Sequence, residues 1–308
     1  MTEVAPVHSW ETDFDHAHPD YNANAHEIWD QLRGKCPVAH TERYGGTWLP
    51  VTHADVSAIA RDTDHFSSEL VIVANRPPEE ERIMTKPIGP APPITSDPPF
   101  HQHARRVLLP AFSPQMINPW EDEVRRLCNE LIDSMGDVDV VDAAVQYAQH
   151  IPVNVIARMI GLPLEDSVYF RDAVHTVLEN IAAEATERVA AVQEVFQYLL
   201  KHVEKHREEP KDDLIGYLLN AKIFDQPLTE QHVVGTIVLL LIAGIDTTWS
   251  AIGSSLWHLA GNPQDLARLV AEPELMPTAI EELLRAYAPV TMARVVAKDT
   301  TLSLIHIS

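Results

Sequence analysis

A histidine and an arginine four residues apart, and an acid set beside two hydroxyls in an apolar run, are the groupings with the means to do chemistry. In Asp97-Pro98-Pro99-Phe100-His101-Gln102-His103-Ala104-Arg105-Arg106 the acid and the prolines mark a helix start. His101 and Arg105 then share one helical face, where two cationic or donor groups clamp a carboxylate, the guanidinium in bidentate fashion. Read alone, an exposed basic patch on an acidic protein is the better account of them. The second grouping is Ala243-Gly244-Ile245-Asp246-Thr247-Thr248. It lies in a helix apolar all round, where polar side chains need compensation. Helical spacing puts Leu240, Ala243, Gly244, Thr247, Thr248 and Ala251 on one face, a shelf of small residues on which a flat ligand can lie. The Thr247 hydroxyl can donate to the carbonyl of Ala243, bending the helix there. On spacing alone, helix packing through small residues with a back-bonded Thr is the better account, but it leaves the acid unexplained.

The element that positions the second grouping is a single helix from Thr229, which caps it, to Ala260, before Gly261-Asn262-Pro263. At ~1.5 Å per residue it is about 48 Å long and must cross the molecule. Before it come a helix over 25–33, strands over 37–41 and 47–52 joined at Gly45-Gly46, and a helix over 55–61. A proline-rich stretch over 66–95 reads as a loop too long for a plain connector. Amphipathic helices follow over 119–136, 146–161, 164–180 and 182–208, and a further short helix over 212–222 leads into the long one. Beyond the long helix, 264–270 continues helically. A helix from Pro277 to Tyr287 has Ile280, Leu283, Leu284 and Tyr287 as its buried face, with Glu282 and Arg285 three apart beside it.

With 308 residues and 45% hydrophobic content the chain is globular. The net charge of −22 argues against nucleic acid or an anionic membrane as partner and for a neutral or apolar substrate. Cys36 and Cys128 are too few for a disulfide framework and lack metal-ligand spacing, so both are expected to be buried as small apolar residues. No N-terminal signal segment is apparent, and the longest apolar run, Ile237 to Ile245, is too short to span a bilayer. A cytoplasmic protein with no membrane partner is the expectation. Residues 1–22, with His8, His16 and His18 among acids, are expected to be a solvated tail; His16-Ala17-His18 has no further ligand set for a metal.

Ala-Gly-Ile-Asp-Thr-Thr resembles the acid–alcohol motif [AG]-G-x-[DE]-T-T of the cytochrome P450 family of haem-thiolate monooxygenases. Asp97-Pro98-Pro99 through His101 and Arg105, then Phe112-Ser113-Pro114, is similar to the family's D-P-P-x-H-x-x-x-R and F-x-P. Glu282-x-x-Arg285 matches its structural ion pair. The resemblance implies a mainly α fold with a small β part. It implies Asp246 and Thr247 as the proton-delivering pair and His101, Arg105 and Arg294 on the haem propionates. Ala243 and Gly244 would lie at the haem, and Leu239, Ile242, Ala243, Val290 and Met292 would line the substrate pocket, with the 66–95 loop and the helices around Asn180 covering it. The implied cofactor is heme b with O2, and electrons would come from NAD(P)H through a ferredoxin and its reductase, which Arg106 would help to receive. The implied reaction inserts one oxygen atom into a small apolar organic molecule.

The resemblance covers about residues 22–301, so 23–301 is expected as one domain, incomplete at its C-terminus, and 302–308 as a non-native or truncated end. The family's Phe-x-x-Gly-x-x-x-Cys loop, source of the axial thiolate, has no counterpart in these 308 residues. No metal ligand is therefore assigned, and the chain alone is expected to be inactive. The rival expectation is a non-catalytic helical binding protein or a dead fragment.

Overall fold

In the computed structural model of the chain, residues 5–73, 90–179, 185–303 and 305–307 are described. They fall into two compact units, one of residues 1–90, 94–101 and 292–308, the other of 91–93 and 102–291. Most of the expected 66–95 loop and the turn around Asn180 lie outside the described residues.

The first unit holds α1 (Pro19–Lys35), β1 (Val38–Thr41), β2 (Thr47–Pro50), α2 (His53–Arg61) and β3 (Phe66–Ser67). β1 and β2 form the expected antiparallel hairpin, Val38 opposite Pro50. The N-terminal segment is not a solvated tail. Phe14 is 1% exposed in a cluster with Tyr21, Ile28 and Leu32. The Arg43 guanidinium binds both Asp13 carboxylate oxygens, at 2.9 and 3.2 Å, and Asp15 at 3.1 Å. One buried aromatic and one arginine shared between two acids offset the ordering cost that a charged tail alone would not. The same packing starts α1 six residues earlier than expected, with the His18 ring as its cap.

The second unit is built of helices. α3 (Phe100–Leu108) enters it, followed by α4 (Pro114–Ile117), α5 (Trp120–Met135), α6 (His150–Ile160), α7 (Ser167–Val174), α8 (Ala185–Glu208) and α9 (Leu214–Asn220). A hairpin of β4 (Lys222–Ile223) and β5 (Gln226–Pro227) leads to α10 (Glu230–Gly261), then α11 (Pro263–Ala271) and α12 (Met276–Ala286). Five-residue π turns at Ala144–Ala148 and His175–Glu179 precede α6 and extend α7. Thr229 caps α10 by accepting from the His232 amide at 3.2 Å. Val234, Ile237, Leu241 and Ile245, at helical spacing on α10, share one core with Ile156 and Ile160 of α6 and Leu199 and Val203 of α8. Each such side chain contributes about 2 kcal/mol on burial.

Two helices depart from expectation. In α12, Ile280 is 48% and Leu284 39% exposed, so the face expected to be buried is uncovered among the described residues, Leu283 and Tyr287 alone being half-buried. α10 is, over an 18-residue window, long and apolar enough to cross a membrane, which counting the uninterrupted apolar run had missed; half of that window is buried inside the fold.

The chain returns to the first unit with β6 (Val295–Val296), β7 (Thr300–Leu302) and β8 (Ile305–Ile307). β6 pairs with β3, Phe66 opposite Val296, and β7 with β8. Ser303, at φ 47°, makes the β7–β8 turn. Leu302 is buried with Val38 and Phe66.

Candidate active site

The acid–hydroxyl grouping lies midway along α10, in the second unit. The Thr247 hydroxyl donates to the carbonyl of Ala243 at 2.7 Å. That carbonyl also belongs to the helix ladder, so sharing it loosens the turn at which Asp246 stands. Asp246 and Thr247 are half-buried, as are Leu239, Ile242 and Ala243. Thr248, expected in the apolar interior, is exposed. Projected around the helix, Leu239, Ala243, Asp246 and Thr247 lie opposite the buried Val234–Leu241–Ile245 stripe.

Gly244 belongs to the other side of that turn. A Cβ built on it would lie 3.0 Å from Cγ1 and 3.1 Å from Cδ1 of Ile156. Its missing side chain is therefore what lets α6 approach α10, which is the packing reading of the small-residue stripe.

Of the cationic candidates, His101 sits in the first turn of α3 and is half-buried, and Arg105, one turn on, is exposed. Asp97 starts that helix through its carbonyl, which accepts from the His101 amide at 3.0 Å. Its carboxylate is used elsewhere, accepting from the Ser68 amide at 2.7 Å and from the Ser67 hydroxyl. The acid read as a helix signal thus also fixes β3. Arg294, half-buried beside β6, donates to the Ala293 carbonyl at 2.8 Å. Backbone bonds from Ala293 to Val71 and from Ala297 to His65 extend the ladder that holds it. Val290 and Met292 are 48% and 43% exposed.

Glu282 and Arg285 pair through two 2.7 Å bonds on α12. The hydrogen bonds from Arg285 hold the Glu282 carboxyl below its usual range. Both side chains are exposed, so the pair by itself is worth little here. The cysteines are only half-buried. The Cys36 thiol donates to the Val38 carbonyl at 3.2 Å. Cys128 faces Tyr147, whose phenol is pushed up to about 12 by burial and by its bond to that thiol. No group of three or more His, Cys, Asp or Glu able to hold a metal occurs among the described residues.

Sequence reasoning missed Thr236. It is buried on α10, and its hydroxyl donates to the Pro92 carbonyl at 3.2 Å, tying the end of the proline-rich stretch to the helix. A lone threonine in an apolar run is the only trace this leaves in the sequence.

The sequence model of the family described as Cytochrome P450 matches residues 73–308. Nocardicin C N-oxygenase of Nocardia uniformis subsp. tsuyamanensis is 33% identical over 264 residues, which are 84% of this chain and 65% of that protein. Cytochrome P450(MEG) of Priestia megaterium is 30% identical over 276 residues, 86% of this chain and 66% of its own length. The crystal structure of CYP109E1 from Bacillus megaterium in complex with testosterone superposes with a TM-score of 0.81 at 29% identity, over 94% of this chain and 74% of that one. The chain thus spans about two thirds of the length of these curated relatives. A family match over most of the sequence, with the helical fold and the threonine-bonded turn at the expected place in α10, makes this chain a member of the cytochrome P450 family.

Proposed function

We propose that the protein to which these residues belong inserts one oxygen atom of O2 into a small apolar organic molecule, in the cytoplasm. NAD(P)H-derived electrons would reach it through a ferredoxin and its reductase. The observation that carries this reading is the Thr247–Ala243 hydroxyl–carbonyl bond at 2.7 Å beside Asp246. A half-buried acid and hydroxyl on one loosened turn can hold a proton and pass it inward while apolar neighbours exclude water.

The donor chemistry of this chain fits the edges of a heme b. His101, Arg105 and Arg294 are of the types that bind two propionate carboxylates, and the small side chain of Ala243 is compatible with a flat ring. The cofactor, when bound, supplies the activation of O2. The protein's share is to orient a substrate with Leu239, Ile242, Val290 and Met292, and to hold a proton on Asp246 and Thr247. We assign no iron ligand to Cys36 or Cys128, since neither stands in a Phe-x-x-Gly-x-x-x-Cys pattern. We therefore expect these 308 residues alone to be inactive.

The test is the carbon-monoxide difference spectrum of the reduced protein, grown with haem supply, for this chain and for a form extended through such a cysteine loop. A thiolate-type band in the extended form alone supports the reading. Absence of haem from both would leave a helical binding protein, which the Gly244–Ile156 packing already favours at that one position. In the extended form, Thr247→Ala should leave electron consumption running while product per NAD(P)H falls at least several-fold. Unchanged coupling would remove Thr247 from proton delivery.

A further inference from the structure

Between α3 and the β4–β5 hairpin lies an open groove of about 270 Å³, lined chiefly by His103, Arg106, Val107, Tyr217, Lys222 and Phe224. In a chain of 45 Asp and Glu against 23 Lys and Arg, its lining contains an arginine, a lysine and a histidine and no carboxylate. Asp225 is adjacent in sequence but is not part of the lining. One wall is fixed, because the Tyr217 hydroxyl donates to the Val107 carbonyl at 2.7 Å, tying α9 to α3.

The backbone supplies a second, independent sign. Phe224 and Asp225 form the two-residue loop between the paired Ile223 and Gln226, at φ 53° and 60°. Both values belong to a type I′ turn, which asparagine and glycine enter readily and a bulky side chain does not. A phenylalanine held in the left-handed region is strained, and such residues cluster at functional sites. Here the turn leaves the ring 63% exposed, yet set 4.2 Å from the His103 ring and tilted 54° to it. An aromatic held out at a conformational cost, over a groove bearing a guanidinium and an ammonium, is a platform with anion donors beside it.

We propose that this groove binds a small anion with a flat apolar body, an aryl carboxylate or aryl phosphate. Arg106 and Lys222 take the anionic group, and Phe224 with His103 takes the ring. The site is separate from the monooxygenase reading and does not depend on haem. Docking of an acidic protein on Arg106 is the competing use of the patch. Concavity, and an aromatic ring held on a strained turn at the hollow, favour the small ligand.

The test is calorimetric titration of the full chain with phenyl phosphate at low ionic strength, alongside inorganic phosphate and phenol. Phenyl phosphate should saturate one site at least tenfold more tightly than either. Arg106→Gln combined with Lys222→Gln should weaken it at least tenfold, while the same loss of charge through Arg125→Gln with Lys201→Gln leaves it within twofold. Phe224→Asn should weaken binding and yet raise Tm by about 2 °C, since asparagine suits the turn; a structural phenylalanine would show no such opposition. The proposal fails if phenyl phosphate does not saturate, if inorganic phosphate binds equally well, or if neither variant changes the affinity. Binding of an acidic ferredoxin through Arg106 and Lys222, with no phenyl phosphate uptake, would assign the patch to a protein partner instead.

Discussion

His232 is 4% exposed in the first turn of α10, and burial holds its imidazole down at about 4 from an ordinary 6.5. The folded protein therefore keeps this ring neutral where the unfolded chain protonates it. Below about pH 6.5 the unfolded state takes up a proton that the native state refuses, so stability falls as pH drops towards 4 and then levels off. The full loss is on the order of 3 kcal/mol. Denaturant titrations of His232→Leu between pH 7 and 4 should show a shallower acid limb than those of the parent, and equal slopes would remove His232 as the cause. Asp13 has a different window. Hydrogen bonds from Arg43 lead the effects that hold its carboxyl at about 2, against an ordinary 3.8. Stability from that bond is present above 3.8 and is lost as pH falls through 2. Limited proteolysis should therefore open the N-terminal segment in that lower range, and Arg43→Gln should open it at neutral pH. Neither residue is legible in the sequence as a titrating group, because burial and the sharing of one guanidinium come from distant packing.

Among the elements, α10 was the most legible. Its cap at Thr229, its end at Gly261 and the Thr247–Ala243 bond follow from local chemistry, and all three are present. The small-residue stripe was read less well. Spacing cannot tell a side that faces a ligand from one that faces a helix, and Gly244 faces Ile156. Gly244→Ala should be nearly neutral, since the gain in helix propensity, about 1 kcal/mol, offsets a tight contact. Gly244→Val should cost about 1–3 kcal/mol through overpacking, and Ile156→Ala in the same chain should recover part of it. Additive costs in that double-mutant cycle would mean the two side chains do not meet. The β3–β6 ladder was invisible in the sequence. Two-residue strands have no period of their own, and Phe66 finds Val296 only through long-range pairing. The α12 face was misread for the converse reason: its apolar period is real, but burial depends on what lies opposite.

At the scale of the whole molecule, the charge of −22 acts on the compact state as self-repulsion. Opposing it are local ion pairs, such as Arg126 with Glu123 and Glu130 on α5 or Arg207 with Glu230, and these are exposed or half-exposed. Exposed pairs contribute about 0–1 kcal/mol each and are weakened by salt. The repulsion is spread over the acids in excess of the bases and is screened over the same range, the Debye length shrinking from ~30 Å at 0.01 M to ~3 Å at 1 M. With 45 acidic against 23 basic residues, the repulsive sum should dominate. Tm should therefore rise between 0.01 and 0.5 M sodium chloride, and rise equally with potassium chloride, since the effect is screening and not ion binding. A fall in Tm over that range would show that the ion pairs outweigh the net charge, and would make Arg43 with Asp13 and Asp15 the first place to look.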